Sequence, residues 1–195
     1  MGRTENHFAS SLKKYCMPIV EDVLNGMQKN RHRVGDMKPA LVPKNPILYC
    51  WWFPENSPVM VELQKFAKKD KEFASLLEQV ETFKEGKTTY YALYFGKSKD
   101  GRNRFNQHTY KDIDKSTLRR TIYAIISTPS EDKVAEILSK CYFEWVEVDS
   151  ESLLECLESM CIVSGKYPLN IEGNPSITDY WRKTILDSRK DINNK

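Results

Sequence analysis

No apolar run in the chain approaches the ~18–20 residues that cross a bilayer. The N-terminus, MGRTENHFASSLKK, has neither an apolar core segment nor a small-residue cleavage site. These two absences point away from membrane-spanning and secreted proteins and toward a soluble, cytoplasmic one with no membrane partner. Paired short cysteine spacings are missing as well. Cys16, Cys50, Cys141, Cys156 and Cys161 are odd in number and contain no CxxC, which suits neither a disulfide framework nor a thiolate zinc site. Free, mostly buried thiols are the expectation. Eight glycines and nine prolines in 195 residues exclude collagen-like or linker-dominated sequence. No segment repeats. What is present is 40% hydrophobic and 11% aromatic residues, enough for one core with extensions rather than two full domains.

A large net charge is also lacking, at +3, but the small total hides segregation. Lys87 to Arg120 carries +6 and Glu131 to Glu158 carries −7. A basic, partly helical stretch interleaved with Tyr and Phe suits a phosphate backbone. The plainer reading is a solvated face neutralised by the acidic stretch folded beside it.

The pattern along the chain alternates helix and strand. An apolar periodicity around Pro18 predicts a first helix ending near Asn25-Gly26 or slightly beyond, and residues 31–46 read as a basic connecting loop. Ile47 to Phe53 is a β-type run ended by Pro54. Ser57-Pro58 opens a helix, a second carries Phe73, Leu76, Leu77 and Val80, and Gly86 closes the block. Thr88 to Phe95 is strand-like, Arg102 to Tyr110 suits a short helix, and Ser116 caps a clearer one. Helix 131–140, strand Cys141 to Val148, a helix from Glu151 to about Val163, and a last helix carrying Ile177, Trp181 and Ile185 complete the series. The expected fold is therefore α+β: a small three-stranded sheet flanked by helices, with a helical insertion at about 57–87 between the first two strands. The expected organisation is an N-terminal helical extension (1–45), a central domain (46–174) and a C-terminal helix (175–195). Trp51, Trp52, Tyr90, Tyr142, Trp145 and Trp181 fall on these elements and read as core.

Chemistry concentrates in Tyr91 to His108. A strand ends in Tyr94-Phe95-Gly96, a turn with Lys97 and Lys99 follows, Arg104 lies ten residues after Tyr94, and His108 four residues beyond on the same helical face. Taken singly, the tyrosine is a packed strand aromatic, the arginine a surface ion pair and the histidine an exposed helical residue. Together they suit phosphodiester hydrolysis: an arginine to neutralise phosphate charge, a histidine to exchange a proton, a tyrosine to hold the attacking water.

Tyr94 to Arg104 resembles the second half of the signature of the GIY-YIG nucleases, a Tyr-x-Gly ending followed by lysines and an arginine ten residues after the tyrosine. Ile47-Leu48-Tyr49 is similar to the first half. Leu157-Glu158-Ser159 followed by Pro168-Leu169-Asn170 looks like the family's helical glutamate and later asparagine, twelve residues apart. Two departures stand out: Ile47 replaces the first motif's glycine, and 44 residues (Cys50 to Leu93) separate the two tyrosine strands.

The resemblance implies a divalent-metal-dependent endonuclease acting on DNA. It assigns Glu158 as the ligand of one Mg²⁺ or Mn²⁺ ion per site, with Glu155 as the competing carboxylate. Tyr49 would position water, with Tyr94 and His108 in its network. Arg104 would hold the scissile phosphate, and Asn170 would fix the active-site loop or a tyrosine. Lys97, Lys99 and Arg119 are the candidate contacts to the nucleic-acid backbone. Two other functions share these residues: a nucleic-acid-binding module that has lost cutting, and a protein-interaction domain using the inserted helices.

Overall fold

The computed structural model describes residues 17–110, 113–126 and 129–193. The first part of the N-terminal extension, with Cys16, and residues Lys111 and Asp112 of the basic stretch lie outside the described residues.

A single antiparallel sheet organises the chain. Its strands are β1 (His32–Arg33), β2 (Ile47–Pro54), β3 (Thr82–Glu85), β4 (Thr88–Ser98) and β5 (Tyr142–Glu147), in the order β1-β5-β2-β4-β3. The class matches the expected α+β fold, but the sheet has five strands where the sequence pattern gave three. The central three are the expected ones, with β2 paired to both β4 and β5. Every residue of β2 is buried, because it is covered on both faces as well as both edges. Its unbroken apolar run is the signature of such a strand.

Both extra strands come from segments read otherwise. The insertion is helical over α2 (Pro58–Ala67) and α3 (Lys71–Glu78) but returns to the sheet as β3. Gly86 then makes the hairpin possible. Its φ of +58°, next to a Lys87 whose φ is not positive, fits the two-residue type II′ connection between Glu85 and Thr88. Thr-Phe-Lys-Glu has only one apolar residue, so its alternation is too short to read as a strand beforehand. Residues 31–46 are likewise more than a loop. They hold β1, paired to β5, and two short 3₁₀ turns. Arg31 fastens this segment: its guanidinium lies 4.4 Å from the Trp52 ring and 4.1 Å from the Phe83 ring, and Nε donates to buried Glu144 at 2.6 Å.

The remaining elements are α1 (helical over 17–28), α4 (Gly101–Thr109), α5 (Thr117–Ile125), α6 (Glu131–Ser139), α7 (Glu151–Ser164) and α8 (Asp179–Asn193). Caps fix most of their starts: Asp100, Ser116, Ser130 and Ser150 each accept a backbone N–H of the first turn. Tyr49 and Trp51 face α4, where Trp51 stacks on Phe105. Trp181 of α8 closes on Phe66 and Phe73 of the insertion, with ring centroids 4.5 and 4.8 Å apart. All six large aromatics assigned to the core are buried. Among the described cysteines, Cys50, Cys141 and Cys161 are buried free thiols and Cys156 is an exposed one. No described helix is long and apolar enough to cross a membrane.

Candidate active site

Tyr49 sits mid-β2 opposite Gly96 of β4, and its ring lies across that glycine. A Cβ at position 96 would stand 2.6 Å from the Tyr49 hydroxyl oxygen and 2.7 Å from its ring carbon Cζ. The glycine of the Tyr-x-Gly ending is thus the floor on which the other tyrosine rests. From there the Tyr49 hydroxyl meets His108 Nε2 at 3.0 Å, and His108 Nδ1 meets Ser116 Oγ at 2.6 Å. Ser116 Oγ also accepts the Arg119 backbone N–H at 3.1 Å, as the cap of α5. His108 is therefore 1% exposed rather than on the surface. The rings of Tyr49, Trp51 and Tyr94 surround it, with centroids 5.5, 5.6 and 6.0 Å away.

This environment sets the protonation states. Burial pushes the Tyr49 hydroxyl well above its ordinary range; Tyr94 adds to the rise, the Arg104 guanidinium opposes it, and the Glu158 carboxylate adds again. Burial also raises Tyr94, against Arg104 and with Glu158. His108 is held well below the ordinary imidazole range by burial, then by Arg104 and Arg119. At neutral pH the site thus holds two protonated tyrosines and a neutral imidazole. Arg104 and Glu158, 54 positions apart in sequence, both act on the same two phenols. Tyr49, Tyr94, Arg104, His108 and Glu158 accordingly share one locality.

Arg104 lines a cavity of about 480 Å³ with Lys97, Lys99, Gln107 and Glu155. Its Nε is buried without a hydrogen-bond partner, which costs free energy unless an acceptor arrives. Lys97 Nζ lies 2.6 Å from Glu155 and 3.0 Å from Glu158, and Lys99 Nζ lies 2.7 Å from Glu151. Here the acidic helix α7 neutralises the end of the basic stretch. Glu155 is 81% exposed and Glu158 20%, so Glu158 is the inward carboxylate of the pair.

No three His, Cys, Asp or Glu side chains form a metal-binding group among the described residues, so nothing resembles a zinc cage. A single inward carboxylate with a second one beside it does fit Mg²⁺ or Mn²⁺. Mg²⁺ takes one or two carboxylates and completes its shell with water and phosphate oxygens.

Asn170 takes a structural place. Its Oδ1 accepts the Phe95 N–H at 2.8 Å and its Nδ2 donates to the Phe95 carbonyl at 2.7 Å. One side chain therefore satisfies both groups that a neighbouring strand would, beyond the point where β3 ends. It holds β4 between Tyr94 and Gly96.

Arg119 does not meet its expectation as a backbone-phosphate contact. It is 3% exposed, and its guanidinium donates to the carbonyls of His108, Thr109 and Glu131. It closes the C-terminal end of α4, the usual station for a cation at a helix terminus, and is unavailable to a ligand at the surface. Ile47 is accommodated as well. Its Cδ1 fills the space beside Gly101, 2.6 Å from where a Cβ would stand, so the larger residue sits over a second glycine. Two contributors escaped the sequence reading: Ser116 as the partner of His108, read only as a helix cap, and Gly96 as the bed of Tyr49.

The structure is thus a five-stranded antiparallel α+β fold in which a buried tyrosine–histidine pair, Tyr49 and His108, lies in one locality with Arg104 and Glu158. A family model, the GIY-YIG catalytic domain, matches residues 47–191. The chain belongs to the GIY-YIG family. No curated protein and no solved structure matches it.

Proposed function

We propose that the protein is a divalent-metal-dependent endonuclease that hydrolyses DNA phosphodiester bonds. The observation that carries this reading is the Tyr49–His108–Ser116 hydrogen-bond chain, with Arg104 and Glu158 both acting on Tyr49. Arg104, whose buried Nε lacks an acceptor, binds a non-bridging oxygen of the scissile phosphate and offsets the charge that grows there. Tyr49 holds the attacking water. As that water gives a proton to the Tyr49 oxygen, the phenolic proton passes to Nε2 of the neutral His108, and Ser116 Oγ accepts from Nδ1. Tyr94 orders the same network. Asn170 keeps β4 fixed beneath it.

Glu158 would hold the metal, one ion per site, with Glu155 beside it; bound there, Mg²⁺ or Mn²⁺ supplies charge stabilisation for the departing oxyanion. Lys97 and Lys99 guide the DNA backbone once it competes for them with α7. The free protein has a poor base in Tyr49, since its phenol is raised, so cutting depends on substrate and cation entering together. The test is plasmid nicking with Mg²⁺, with Mn²⁺ and with chelator, on the wild type and on Glu158→Ala and Arg104→Ala. Metal-dependent nicking that both substitutions abolish supports the assignment; undiminished cleavage in both variants rejects it.

A further inference from the structure

Residues 29–44 lie ahead of the matched domain, which begins at 47, and supply none of the residues assigned to the cleft. They carry five cations, Lys29, Arg31, Arg33, Lys38 and Lys44, against one acid, Asp36. The segment is held firmly. The Val34 N–H donates to the Cys141 carbonyl at 2.9 Å, and the Arg102 guanidinium donates to the carbonyls of Ala40 and Val42, each at 3.0 Å. Val34, Met37 and Val42 are buried, while Arg33, Lys38 and Lys44 are exposed. Arg33, Lys38, Leu41 and Tyr142 line a cavity of about 620 Å³ together with Arg31 and Asp36. Arg31 is spent on Glu144, but no described side chain forms an ion pair with Arg33, Lys38 or Lys44. Lys97 and Lys99, by contrast, are paired with the carboxylates of α7. The segment also abuts the cleft. The carbonyls of Pro43 and Asn45, on either side of Lys44, accept the N–H groups of Arg102 and Gly101 at 2.8 and 3.3 Å. Those donors begin α4, whose next residues, Asn103 and Arg104, line the cleft.

We propose that Arg33, Lys38 and Lys44 form a second contact surface for duplex DNA, which takes the sugar-phosphate backbone flanking the stretch held at Arg104. Unpaired cations on a fixed backbone gain from a polyanion without giving up protein partners, and each phosphate they neutralise releases condensed counterions. Lys44 stands at the rim of the cleft, so a strand seated at Arg104 passes its neighbouring phosphates toward the segment. The surface rests on the nuclease reading, which puts a duplex in the cleft. It adds a grip supplied by residues outside the matched domain.

The test measures binding rather than cutting: fluorescence anisotropy of a labelled DNA duplex in chelator, titrated with salt. The variant with Arg33→Gln, Lys38→Gln and Lys44→Gln together is expected to weaken binding roughly tenfold or more. Its salt slope is expected to fall by about two to three, near one for each cation. A control removes equal charge from exposed lysines elsewhere, through Lys69→Gln, Lys71→Gln and Lys183→Gln, and is expected to keep the wild-type slope. Asp36→Asn, which removes the one acid of the segment, is expected to tighten binding about threefold. Melting temperatures within about 2 °C of wild type verify that the variants fold. Should the triple variant unfold, Lys38→Gln and Lys44→Gln singly are each expected to lower the slope by about one. A wild-type slope in the triple variant or in both singles, or an equal loss in the control, overturns the surface and leaves the nuclease reading standing. Wild-type protein that fails to bind the duplex removes both.

Discussion

Replacing Gly96 by alanine adds one methyl group at the point where the site is tightest. The new carbon would lie 2.6 Å from the Tyr49 oxygen, 2.7 Å from Cζ and 3.1 Å from Cε2, each well inside van der Waals contact. A flexible side chain would swing away, but Tyr49 is 2% exposed and boxed by Phe143, Tyr94 and His108 at centroid distances of 5.5, 6.4 and 5.5 Å. Relief therefore requires moving the ring or parting β2 from β4. Overpacking of this kind costs about 1–3 kcal/mol, and loss of the 3.0 Å Tyr49–His108 bond leaves buried polar groups unmet for roughly 1–3 kcal/mol more. We expect Gly96→Ala to lose about 2–6 kcal/mol in urea unfolding. Nicking should fall on the order of a hundredfold, the usual consequence of a misplaced catalytic group. Tyr49→Ala deletes the obstructing ring, so in that background the same substitution should cost much less, and a double-mutant cycle reads the difference as coupling. A Gly96→Ala protein within about 0.5 kcal/mol of wild type, or a cycle without coupling, would refute the packing argument.

Asn170→Ala strands both the N–H and the carbonyl of Phe95 and is expected to destabilise by about 2–4 kcal/mol; a shift in urea midpoint measures it, and an unchanged midpoint would deny the side chain its strand-like role. Glu158→Gln should abolish metal-dependent nicking, while the loss of its partly exposed pairing with Lys97 moves stability by only about 0–1 kcal/mol. A loss of nicking matched by unfolding would point to a structural role instead. His108 has its pKa held below the ordinary 6.5 by burial and by Arg104 and Arg119, so the unfolded chain binds that proton first as pH falls. The stability it contributes is complete above about pH 6.5 and is lost below it, down through the depressed folded pKa. Urea unfolding across that window should show a steeper decline in wild type than in His108→Gln, and identical profiles would count against a neutral buried imidazole.

Elements with a full local code were legible. Ile47 to Pro54, Thr88 to Ser98 and Tyr142 to Glu147 carry enough apolar and β-branched or aromatic residues to declare themselves, and the observed strands fall there. Ser57-Pro58 and Ser116 announced helix starts that the structure makes with a side-chain acceptor. The two extra strands were illegible because they are defined by partners. His32–Arg33 is a strand only by its bonds to β5, and Thr82–Glu85 only by the hairpin that Gly86 permits.

For the site, the spacing of Tyr94, Gly96, Arg104 and His108 was visible because one strand, one turn and one helix deliver those residues locally. The motif also carried the family, since its residue types and order survive a long insertion. Solvent access was what the sequence could not disclose. Arg119 and Arg104 look alike on paper, yet one is spent on backbone carbonyls and the other lines a cavity. Ser116 reaches His108 from the start of a separate helix, and Arg189 reaches Thr121 from 68 positions away. Local patterning is governed by short-range sterics and hydrogen bonding, which act on neighbours in the chain. Which charges are buried, paired or left open depends on how distant segments pack, and only the assembled fold decides that.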